Sequence, residues 1–103
     1  MIVSLHPEAE TELVEATSYY SREANSALGA AFLGEFNRSI DLLRARPGLG
    51  ARWRGQLRRL PLRRFPYSIV YQASEARLWV VAVAHQSRRP GYWRARRPSP
   101  REV

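Results

Sequence analysis

The sequence predicts an α+β domain in the order β-α-α-β-β-β, with an N-terminal helical hairpin packed on a small antiparallel sheet and a basic C-terminal segment. Three observations predict it. Between positions 9 and 43 apolar residues recur at spacings of three and four, the signature of helices with one buried face. Between 57 and 85 the period falls to two, as in strands. Pro47-Gly48-Leu49-Gly50, a helix stop, separates the two regimes. At 103 residues the chain is one domain by size. The domain is expected over residues 1–95, followed by a charged tail at 96–103 that frays.

Each element has its own local cause. Ile2 to Leu5 is a short apolar run and reads as a strand. Pro7 suits the first turn of a helix, where its missing N–H costs nothing, and Glu8 and Glu10 favour the positive end of the helix dipole. Ala9, Leu13, Ala16 and Tyr20 form its buried stripe. Asn25 or Ser26 then caps a second helix, whose stripe is Leu28, Phe32, Phe36, Ile40 and Leu43.

After the stop, Leu57, Leu60 and Leu62 mark a strand edged by Pro61. Pro66 to Gln72 is the next strand, Ala73 to Ala76 a tight turn, and Arg77 to His85 the last strand. The last strand presents Leu78, Val80, Ala82 and Ala84 on one side and Trp79, Val81, Val83 and His85 on the other. Two apolar faces place it inside the sheet.

Charge divides the chain unevenly. Residues 1–41 carry seven acids against Arg22 and Arg38, a balance of −5. Residues 42–103 carry fifteen arginines against Glu75 and Glu102, a balance of +13. One domain with an acidic helical side and a cationic side attracts anions, whether nucleic acid or an acidic protein. Every basic residue other than the two histidines is arginine, which grips phosphate and carboxylate but cannot act as an ordinary base. There is no cysteine, and no apolar run approaches the roughly 20 residues of a membrane helix. The chain reads as soluble and cytoplasmic. His6 and His85 lie far apart without clustered carboxylates, so neither metal nor cofactor is expected.

Two segments, Arg64-Phe65-Pro66-Tyr67-Ser68-Ile69-Val70-Tyr71 and Val81 to Trp93, together with the opening His6-Pro7-Glu8-Ala9, resemble the ParE/RelE superfamily of bacterial type II toxins. The resemblance covers roughly residues 1–95 and is nearest the ParE-like, plasmid-stabilisation branch. It implies a toxin held inactive by a cognate antitoxin. ParE-like members act on DNA gyrase; RelE-like members cleave messenger RNA on the ribosome. RelE-like nucleases carry an arginine within the strand matching Pro66 to Gln72, where this chain has Ser68, and a basic catalytic position that falls near Gln86. Both departures favour gyrase poisoning, with mRNA cleavage as the alternative and a non-toxic nucleic-acid-binding module as a third.

Cleavage needs a base, an acid and a cation near the developing phosphorane charge. The nuclease alternative assigns these to His85, Tyr92 and Arg88. A docking face for target or antitoxin instead draws on Arg59, Arg63, Arg64, Arg88, Arg89, Tyr92 and Trp93, with Trp53 beside them and Trp79 in the core. Arginine, tryptophan and tyrosine are the residues enriched at binding hot spots.

Overall fold

A computed structural model describes residues 1–97, so all but the first two residues of the tail expected at 96–103 lie outside the described residues. The order is β1 (Ile2–Leu5), α1 (Pro7–Glu23), α2 (Ser26–Ala45), β2 (Ala51–Arg54), β3 (Leu57–Pro61), β4 (Tyr67–Ala73) and β5 (Arg77–His85). The expected α+β class and helical hairpin hold. The sheet has five strands in the order β1-β5-β4-β3-β2. It is mixed: β2 to β5 form an antiparallel meander, and β1 runs parallel to β5. Strands that run parallel need a long crossover, which the helical hairpin and meander supply.

The helices start where their caps allow. The His6 imidazole accepts from the Glu8 N–H at 3.1 Å, and Pro7 opens α1. Asn25 caps α2, its Oδ1 accepting from the Leu28 N–H at 2.8 Å. The two helices approach closely at Gly29, where a Cβ would overlap Ser21 and sit 2.9 Å from the Thr17 carbonyl. Ala9 and Ala16 of α1 and Phe32, Phe36, Ile40 and Leu43 of α2 close over Leu62, Phe65, Ile69, Tyr71, Leu78, Val80 and Val83. This is the main core.

The opposite face of the sheet is also covered. Val70, Trp79, Val81, Ala82 and Ala84 pack there under Trp93, with Trp53, Leu57 and Tyr92 at the margin. The simple alternation expected for β5 fails at a bulge. Val70 faces Ala82 while Tyr71 faces Val80, which leaves Val81 as the extra residue. Beyond it the parity flips: Ala82 and Ala84 join Trp79 on the outer face, and Val83 joins the helix side.

Tyr71 ties the end of α2 to the sheet. Fully buried, it donates its hydroxyl to the Pro47 carbonyl at 2.7 Å and accepts from the Gly50 N–H at 2.9 Å. A Cβ at position 50 would fall 2.7 Å from that hydroxyl, so the turn needs glycine. Tyr71→Phe strands the buried Gly50 N–H and is expected to lower stability by about 1–3 kcal/mol. Chemical denaturation with an unchanged m-value is the measurement.

Candidate functional site

The parallel strand β1 ends opposite Val80, where the His6 N–H still reaches the Val80 carbonyl. From there to His85 the edge of β5 has no strand partner, and its polar groups must be satisfied by other means. Two side chains take them. Glu12, from α1, accepts the Val83 N–H at 3.0 Å. Arg96, from the C-terminal segment, donates to the Val81 carbonyl at 3.0 Å. The two side chains also meet each other through paired 3.0 Å contacts, and the Tyr92 hydroxyl donates to Glu12 at 2.7 Å. The Arg96 and Glu12 side chains are only 9% and 14% exposed, so this is a mostly buried ion pair.

The titration behaviour follows from this geometry. Burial alone would raise the Glu12 carboxyl, but hydrogen bonds from Arg96, Tyr92 and Val83 outweigh it and hold the group below the usual carboxylate range. Burial first, and then the bond to Glu12, pushes the Tyr92 phenol well above its ordinary range. Arg88 and Arg96 both lie over the Tyr92 ring, at 4.0 and 5.1 Å from its centre.

Two hollows flank this segment. One, of about 690 Å³, lies between α1 and the ends of β4 and β5; Val14, Glu15, Tyr19, Arg22, Tyr67 and His85 contribute to its walls. Val14 and Tyr19 are more than half exposed there. The other, of about 250 Å³, lies on the outer sheet face. Arg88 and His85 border both.

The residues expected to form one docking face are spread. Arg59 is exposed on β3, beside the smaller hollow. Arg63 and Arg64 are exposed in the bend after β3, on the α2 side, where the Arg63 N–H donates to Glu35 at 2.7 Å. Arg64 adopts φ 70°, in the left-handed region, with its guanidinium 5.5 Å from the centre of the Phe65 ring. Arg88 and Arg89 are exposed after β5, and Tyr92 is half-buried next to Arg88. Trp93 is different from what was expected of a surface group. It is 2% exposed and packs against Trp53 with ring centres 5.1 Å apart and planes tilted by 57°. It anchors the C-terminal segment and is not available to a partner.

His85, Arg88 and Tyr92 do come together, but without free proton-transfer groups. The His85 Nδ1 accepts the Ser87 backbone N–H at 2.9 Å, which leaves the proton of the neutral ring on Nε2. In that form Nε2 is a donor and not a base. The Tyr92 hydroxyl is committed to Glu12, and its raised pKa makes it a reluctant acid. The arrangement grips charge better than it moves protons. His6 is engaged as the α1 cap, and among the described residues no three metal-ligating side chains cluster.

Among sequence families, the one described as the ParE toxin of the type II toxin-antitoxin system, parDE, matches residues 3–90. The chain belongs to this family. A solved structure described as a chromosomal ParDE toxin-antitoxin system from P. aeruginosa shares the fold, with a TM-score of 0.71 over 82% of this chain and 95% of that one, at 15% identity. No curated protein sequence matches the chain.

In this ParE-family toxin, Glu12 falls inside the matched stretch, whereas Tyr92 and Arg96 follow it. Neither Glu12 nor Arg96 was expected at the site from the sequence. The signal for Glu12 was present: it lies three residues after Ala9 and four before Ala16, on the buried stripe of α1. A carboxylate there calls for a buried cation. No helix among the described residues is long and apolar enough to cross a membrane.

Proposed function

We propose that this toxin acts by docking, is neutralised by a cognate antitoxin, and poisons DNA gyrase. The observation that carries the reading is the state of the proton-transfer candidates: His85 Nδ1 and the Tyr92 hydroxyl are both occupied by internal hydrogen bonds, while Arg59, Arg88 and Arg89 stand exposed. Charge-gripping groups without a free base suit a binding poison better than a metal-independent nuclease. The antitoxin reading rests on family membership and on charge: an acidic segment complements the arginine-rich half, and the larger hollow offers the exposed Val14 and Tyr19 to an apolar side chain.

Toxin freed of antitoxin is expected to inhibit supercoiling by purified gyrase and to accumulate cleaved DNA. His85→Ala should retain this effect. An inert toxin at large excess over gyrase overturns the reading. Messages cut in a translation extract by the parent protein, and left intact by His85→Ala, would establish the nuclease instead.

A further inference from the structure

We infer that the smaller hollow on the outer sheet face is a receptor for a single phosphate group. Its position follows from strand register. Pro61, Ser68 and Ala84 lie directly opposite one another on β3, β4 and β5, so their side chains share a face. Arg59, two residues before Pro61, projects from that same face. Ser68 and Ala84 are both small and stand side by side on neighbouring strands. Larger neighbours surround them: Trp93, Pro90, Arg59 and Arg88 line the same hollow. A shallow floor between tall walls makes the hollow.

The lining chemistry selects an oxyanion. Arg59 and Arg88 supply guanidinium forks, Ser68 a hydroxyl and Gln86 a side-chain amide, while no carboxylate lines the space. Ser68 is a buried polar residue at 6% exposure. At about 250 Å³ the hollow is several times the roughly 30 Å³ share of a water molecule, yet below the usual range of about 300–1,000 Å³ for small-molecule pockets. That size admits a phosphate and part of its sugar. His85 also lines the hollow, but its Nδ1 is taken by the Ser87 N–H, so the site retains a phosphate ester without cleaving it. A free nucleotide and a nucleic-acid strand present the same group.

The test is an NMR titration of the isolated toxin, independent of gyrase, with inorganic phosphate, a deoxynucleoside monophosphate and a short single-stranded DNA. The Ser68 and Gln86 amide signals are expected to shift saturably. Arg59→Gln and Ser68→Leu, which fills the floor, should each weaken binding about tenfold, and Arg59→Gln should reduce the salt slope by about one counterion. Arg59 is exposed, so its variant reports even if Ser68→Leu fails to fold. Equal affinity for all three probes supports a free-phosphate source, and tighter DNA binding supports a strand. Shifts that fail to saturate, binding unchanged in Arg59→Gln, or a glutamate-rich peptide displacing phosphate at matched charge would overturn the inference.

Discussion

Glu12→Ala is expected to lower the stability of this toxin by about 3–5 kcal/mol, the range for removing one partner from a buried ion pair. The change leaves the mostly buried Arg96 with only the exposed Glu8 carboxylate at 3.6 Å and the Val81 carbonyl, frees the Tyr92 hydroxyl and strands the Val83 N–H at a sheet edge. Against a typical domain stability of roughly 5–15 kcal/mol, that is a large fraction. The double variant Glu12→Leu, Arg96→Met removes both charges together and should recover part of the loss, because apolar replacements of a buried pair are often neutral. Urea denaturation of the parent, the single variant and the double variant separates these terms.

The same pair sets a pH dependence. Glu12 is held below its unfolded-state pKa, so it binds a proton less readily when folded. Its contribution is present above the unfolded value and is lost as pH falls through the folded one. Acid denaturation of Glu12→Ala should therefore be shallower than that of the parent. Equal acid slopes would show that other carboxylates, such as Glu35 beside Arg38, control the transition.

How much of this was legible depended on the range of the interaction. The helix stripes were readable because their spacing is local: Phe32, Phe36, Ile40 and Leu43 are buried as the period predicts. β2 was not readable, since Ala51-Arg52-Trp53-Arg54 carries a single large apolar residue and its partner β3 is itself rich in arginine. The parallel pairing of Ile2–Leu5 with β5 joins residues some 75 positions apart, and no local pattern encodes it. The bulge at Val81 was hidden because Leu78 to Ala84 is apolar throughout, so either parity satisfies both faces. The C-terminal segment looked like a fraying tail from its charge. Arg96 docks because Glu12 lies on the opposing helix, a complement visible only in three dimensions.

Trp93→Ala is expected to cost about 3–5 kcal/mol, the range for truncating a buried tryptophan. Its indole fills the outer face of the sheet against Trp53 and the cluster around Val70 and Ala84. The consequence should reach function as well as stability. Gly91, with φ 86°, brings the chain within 3.2 Å of the Trp53 ring for any added Cβ, and Trp93 follows at once. These two residues fix the path from Arg88 to Arg96. Without the indole, Arg88 loses its register over Tyr92 and the smaller hollow loses a wall. Toxicity should fall further than the folded fraction accounts for, and amide exchange should rise over residues 88–97 before it rises in β4. Exchange that rises uniformly across the sheet would mean that Trp93 supports the whole domain and not the segment that carries Arg88.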